Sequence, residues 1–369
     1  MNINQELINE ETGKSFNISL SGKSVITKTG NRENEKEYPS EAKAELEFQK
    51  KRWEKLKKGF VFKTEELEIG KARVHRYLGL GNTGCFSLVN MDDKVAVYKH
   101  NDFKNELLQV FDSKGNFVET IDQIKGIPWN LKFSKKYNAL FMNVDHYVVK
   151  LDLANKEFEY FTEAFDQPAS FISLATDYLF YGSAPMVHLK DLRSNEIIFS
   201  KKVEVELYSG HSSQLQGGIS LSGEQIALCS QAGKIEILDR KGQLLKTIQG
   251  DFEMVDDIEF LNDSTILINE KYGTHGLRLY DINTGEELPY PFNKDSFDGT
   301  LVDCLDINRE NNKILVACRA MITVYDLRTF ELLQQFKIEH VVKRGDAAFM
   351  GDSTIAVRTD YGCFSLYCI

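Results

Sequence analysis

The sequence contains no run of about 18 apolar residues, so none of its helices can span a bilayer. Its first residues, MNINQELINEETGK, hold no apolar signal core and no twin-arginine pair, and a cytoplasmic protein without membrane contact is the expectation. Cysteine is sparse. Cys85, Cys229, Cys304, Cys318, Cys363 and Cys368 include no CxxC pair, which leaves zinc ribbons and disulfide frameworks without support. Buried thiols in a reducing compartment are the reading instead. The histidines His75, His100, His146, His188, His211, His275 and His340 stand singly, with no HxH or HExxH spacing. The stretch 209–218, SGHSSQLQGG, has Ser and His but no GxSxG elbow and reads as a long loop. Glycine-rich LGLGNTG at 78–84 precedes a strand rather than a helix, which argues against a phosphate loop. No catalytic residue, metal ligand or cofactor is therefore assigned. Positive charge is also in deficit: 45 Lys plus Arg face 55 Asp plus Glu, a net −10 that excludes a surface built throughout to wrap nucleic acid.

What is present is a repeat. A strand-like run ending at an aspartate recurs at Asp112, Asp152, Asp191, Asp239, Asp281 and Asp326, and Cys368 takes the same place in a final copy. The spacings are 40, 39, 48, 42, 45 and 42 residues, the period of four short strands per propeller blade. Each copy opens with an inner run such as PWNLKFS or DIEFLN, continues with runs rich in Val, Ile, Phe and Tyr, and turns at SKGN, RKGQ or NTGE. Seven inner runs, at 85–90, 128–134, 169–175, 216–222, 256–261, 302–308 and 346–350, predict an all-β, seven-bladed propeller over 72–369. Its last copy has three strands, so the strand-like segment 72–80 is expected to close it. The recurring aspartate reads as a turn residue that accepts backbone hydrogens. These repeats resemble the WD40-like propellers, with Phe-Asp, Leu-Asp, Lys-Asp or Tyr-Asp where that family has Trp-Asp.

The N-terminal part differs. Residues 13–63 carry +6 and the rest −16, which marks a small α+β module at 13–66 behind a flexible tail at 1–12. KSFNISLS and KSVITKTG read as strands. EYPSEAKAELEFQKKRWEKLKKGF reads as a helix capped by Ser40, with Ala42, Leu46, Trp53, Leu56 and Phe60 on its apolar face. The strand–strand–helix segment KSFNISLSGKSVITKTGNRENEKEYPSEAKAELEFQKKRWEKLKKGFV resembles the WGR domain of poly(ADP-ribose) polymerases and shorter bacterial proteins. That resemblance implies a bacterial protein whose module meets DNA ends or other protein domains. Thr29, Gly30 and Asn31 stand where the Trp-Gly-Arg segment would, with Arg32 one place later.

Two surfaces follow. Alignment of the inner runs places Trp129, Asp256 and Asp303 at one channel mouth with Asp257 and Asp346 one position on, a set that suits a basic or aromatic group of a partner protein or peptide. The same carboxylates also suit turn hydrogen bonding. Lys23, Lys28, Arg32, Lys50, Lys51, Lys55, Lys57 and Lys58 form a phosphate-facing or partner-facing patch, or else complement the end of the helix dipole. The expectation is a non-catalytic interaction scaffold. A nucleic-acid adaptor acting through the basic module and a propeller enzyme working on a small ligand in the channel are the alternatives.

Overall fold

The structure, a computed structural model, describes residues 2–80, 87–100, 106–161, 170–205, 207–208, 212–213, 215–270, 276–289, 291–292, 302–341 and 344–369. Residues 81–86, most of 209–214 and residues 271–275 lie outside it, and with them Cys85, His211, His275 and the end of the glycine-rich stretch.

Six antiparallel sheets stand free as blades, five of four strands and one of three. Their innermost strands are Leu88–Met91, Pro128–Ser134, Phe171–Leu174, Gln216–Ile219, Val255–Asn262 and Cys304–Asn308. The expected count of seven is thus corrected to six free-standing blades. The remaining strands, Gly345–Phe349, Thr354–Thr359, Cys363–Cys368 and Ala72–Tyr77, do not end at an outer edge. Ala72–Tyr77 pairs antiparallel with Cys363–Cys368 on one side and with Phe60–Lys63 on the other. The sheet then continues through Asn2–Asn9, Ser15–Ser21 and Ser24–Thr29 to Arg32–Glu37, nine strands in all.

Burial follows position. Ala139–Val144, Thr354–Thr359 and Cys363–Cys368 are buried at every residue, because a neighbour covers each face. These strands accordingly read as continuous apolar runs rather than alternating ones. The terminal strand Arg32–Glu37, RENEKE, is exposed throughout, and its charges blunt an edge that would otherwise pair with another chain. The fifth blade has three strands. Among the described residues, Glu287 and Leu288 continue its ladder, and Pro289 and Pro291 beyond them offer no donor.

The recurring aspartates do one job. The Oδ1 of Asp112, Asp152, Asp191, Asp239, Asp281 and Asp326 accepts the N–H two residues on, at 2.8–2.9 Å in every copy. Each carboxylate thereby fixes the turn into the outer strand.

The N-terminal segment departs from expectation. Asn2–Asn9, expected as a flexible tail, is a strand between Ser15–Ser21 and Phe60–Lys63. No separate WGR-like unit is seen, since its strands belong to the sheet that ends in the ring. Gly30, aligned with the Trp-Gly-Arg segment, is a hairpin-turn residue with φ +55°. In the helix Glu41–Leu56, Ser40 caps by accepting the Lys43 N–H at 3.2 Å. The buried stripe is Ala44, Phe48, Arg52 and Leu56, not the expected Ala42–Leu46 side, and Leu46 is 64% exposed. Counting apolar residues misplaces the face because the stripe includes an arginine.

Arg52, 1% exposed, joins helix to ring. Its guanidinium lies 2.8 Å from Glu339 Oε1 and donates to His340 Nε2 at 3.1 Å and to Gln5 Oε1 at 3.0 Å. Glu339 Oε2 is 2.8 Å from Nε2 of the fully buried His75, whose Nδ1 is 2.7 Å from Ser365 Oγ. Burial would raise the Glu339 carboxyl, but Arg52 and His75 outweigh it and hold it well below the usual range. Burial and Arg52 lower both His75 and His340.

Two outcomes are expected. Arg52→Leu leaves Glu339 without its principal cation and costs about 3 kcal/mol, measured by denaturant unfolding. The histidines bind protons in the unfolded chain but not in the folded one below their ordinary pKa of 6.5, whereas Glu339 keeps its charge in the folded state well below pH 4.5. This node therefore loses stability as pH drops from 7 to 4, chiefly through the two histidines, and the drop in Tm over that interval is smaller in His340→Gln.

Candidate functional site: the central channel

The inner strands of the six blades and of the nine-stranded sheet surround a channel of about 2470 Å³. Trp129, Asp256, Asp257, Asp303 and Asp346 all line it. Two of the wall strands are bulged: the register shifts between Trp129 and Lys132, where Asn130 has φ +47°, and again between Val255 and Asp257. Bulges re-aim side chains, and these two lie on strands that carry wall-lining charge.

Individual roles differ. Trp129 is half-buried against the core shared by the first and second blades. Asp303 Oδ2 accepts the Arg319 N–H at 2.8 Å, and Asp257 Oδ1 accepts the Ile258 N–H at 2.9 Å. Asp346 is a staple: its Oδ2 accepts the Leu88 N–H of the first blade at 3.1 Å and its Oδ1 accepts the Ala347 N–H at 3.0 Å. Asp306 does likewise, accepting the Phe349 N–H at 2.7 Å. Asp306 and Asp346 thus anchor backbone across blade boundaries, whereas the plainer reading of the sequence has such aspartates bonding turn backbone.

The sequence reading passed over the residues that cross the lumen. Lys132 of the second blade places Nζ 2.9 Å from Glu259 Oε1 of the fifth. The third and fourth blades stand between them on one side, and the sixth blade, the nine-stranded sheet and the first blade on the other, so the pair meets only through the channel. Glu259 holds the Lys132 ammonium above the usual lysine range, against the opposing effect of burial. Burial, reinforced by Glu259, pushes Asp257 up to about 7, while Lys132 works against the rise. Burial likewise pushes Asp306 and Asp346 up to about 6. A signal for this pair exists in the repeat. Lys132, Glu259 and Asp306 each stand one place before the apolar anchor of their run, where the other copies have Ser87, Ser173, Ser220 and Ala348.

Ser365, His75 and Glu339 have the contacts of a nucleophile relay, but Ser365 and His75 are fully buried. Burial, with Asp346 adding to it, holds the Cys304 thiol well above its ordinary value, which keeps it a poor nucleophile. Among the described residues no group of three His, Cys, Asp or Glu side chains is placed to hold a metal ion.

The basic residues do not form one patch. Lys28 faces a hollow with Asn4, Asn17, Ser19, Ile26 and Glu33 and lies cross-strand from Glu33. The helix packs on the opposite face, against Phe16, Ile18 and Leu20. Lys23 lies in a hairpin turn and Arg32 begins the edge strand. Lys55 Nζ sits 4.2 Å from the Phe16 ring centre and Lys57 Nζ 4.4 Å from that of Trp53, so two of the helix lysines cover aromatic surface. Lys50, Lys51 and Lys58 lie toward solvent.

No protein-family model matches the chain, and no curated protein sequence matches it. Solved structures do. A chain in the crystal structure of a mitotic checkpoint complex aligns with TM-score 0.61 at 12% identity, covering 83% of this chain and 94% of that one. This chain is a β-propeller. In all, 1548 solved chains match it, so the fold by itself selects no function.

The Asp257 carboxyl gives a prediction. Its folded pKa lies above the ordinary 3.8, so the folded state holds a proton more firmly than the unfolded one and its contribution to stability falls as pH rises from 4 toward 8. Asp257→Asn, a permanent stand-in for the protonated form, should gain stability over the parent at pH 8 by about 1–3 kcal/mol and gain little at pH 5. Denaturant unfolding at the two pH values reads the difference.

Proposed function

We propose that this protein is a non-catalytic interaction scaffold that receives a partner protein or peptide at the channel mouth carrying Trp129, Asp256 and Asp303. The observation that carries the reading is that a half-buried indole and several carboxylates gather on rigid inner strands around one open channel. Indoles and charged groups on a fixed frame are what hot spots are made of. The solved neighbour, a member of a multi-protein complex, is consistent with such a role. In this reading the inner four strands of the nine-stranded sheet serve as the seventh blade of the ring, and the free thiols Cys229, Cys304, Cys318, Cys363 and Cys368 suit a reducing cytoplasm. The division of the basic residues between two faces of the N-terminal sheet makes the nucleic-acid reading the weaker one.

Affinity capture from the native host tests this, with Trp129→Ala and Asp256→Lys run beside the parent and eluates read by quantitative mass spectrometry. The expected result is a defined protein set reduced about tenfold in both variants, with circular dichroism showing that each stays folded at the capture temperature. A set unchanged by both substitutions, or an eluate dominated by nucleic acid that falls away steeply with salt, contradicts it.

A further inference from the structure

We infer that the mid-channel carboxylates around Lys132 form a receptor for a primary ammonium, and that a partner's lysine side chain can take the place Lys132 occupies. This deepens the scaffold reading and rests on it for the partner, although the site itself stands on geometry alone. The present occupant shows the chemistry: an ammonium reaches across the lumen and docks on Glu259 at 2.9 Å. Asp257 and Asp306 also act on it electrostatically. Arg309, another cation near Glu259, spends its guanidinium on the Leu261 and Phe260 carbonyls. Among the described residues, Glu259, Asp257 and Asp306 thus act on the single ammonium of Lys132.

A second observation points the same way. Asn269, 2% exposed and part of the channel wall, lies cross-strand from Asp257. Its Nδ2 donates to the Val302 carbonyl, but its buried Oδ1 has no hydrogen-bond partner among the described residues. A buried acceptor left unmade is costly, and a donor arriving beside Asp257 relieves it. The site is also reachable, since Lys132, Asp257 and Asp306 line the channel and the Lys132 and Glu259 side chains are 36% and 24% exposed. An ammonium, with three donors and compact charge, fits such a cluster better than a planar guanidinium, which favours a bidentate partner.

The probe is acetyl-Gly-Lys-Gly-amide, with its ε-acetylated form as the uncharged control. By calorimetry, Lys132→Ala should bind the lysine peptide at least about tenfold more tightly than the parent, a difference of about 1.4 kcal/mol. It should ignore the acetylated peptide, and Lys132→Ala/Glu259→Gln should bind neither. A second measurement needs no variant. In the parent, saturating lysine peptide should release Lys132 from Glu259 and raise its acylation rate, mapped by mass spectrometry. Equal affinity of parent and Lys132→Ala, or a Lys132 acylation rate unmoved by the peptide, overturns the inference. If peptide binds but no host protein depends on the channel mouth, the scaffold reading fails and the ammonium site stands. Host capture with no peptide binding removes only the ammonium site.

Discussion

One pairing holds the molecule together: the antiparallel ladder between Ala72–Tyr77, early in the chain, and Cys363–Cys368, at its end. A ring of small sheets has no edge to lose once closed, but each sheet packs only on its neighbours, so an unclosed ring exposes two flanks at once. The closing strand does more than complete a ladder. Its other edge carries Phe60–Lys63 and so the whole N-terminal sheet, and its His75 side chain, fully buried, links Ser365 to Glu339. Glu339 in turn meets Arg52 of the helix. Closure of the ring and docking of the N-terminal sheet are therefore one structural event.

The channel is built on the same economy of contacts. Asp306 and Asp346 span blade boundaries to backbone amides of the next inner strand, and Cys304 Sγ accepts the Ala347 N–H at 3.1 Å. Polar side chains that look like a ligand-binding rim in sequence are in part seams between sheets. Lys132 and Glu259 are different, because they join strands that do not touch. A partly exposed ion pair of this kind contributes modestly to stability, and its greater consequence is to fix a positive group among carboxylates in the middle of the lumen. That is a chemical address, which the fold alone does not supply.

How much of this was legible in the sequence varied with the kind of interaction. Period and turn chemistry exposed the propeller, because an Asp at the end of each third strand answers a local backbone demand repeated in every copy. The strand 72–77 was legible for a related reason: the last copy ran short. The number of free-standing blades was not, since nothing in the sequence says that Ala72–Tyr77 has a second partner in Phe60–Lys63. The helix face was misjudged at Arg52, whose burial depends on Glu339 and His340 nearly 290 residues away. Lys132 and Glu259 escaped for a similar reason, being 127 residues apart with only a shared place in the repeat to connect them. Local rules reveal elements; long-range charge pairing needs the closed ring.

Native-state hydrogen exchange of the amides in Ala72–Tyr77 tests the ring-closure account most directly. The account predicts that they open only with the blades, with protection equal to that of the buried strand Ala139–Val144. Exchange at loop-like rates in Ala72–Tyr77 while the blades stay protected would show that the ring stands without its closing strand, and would contradict it.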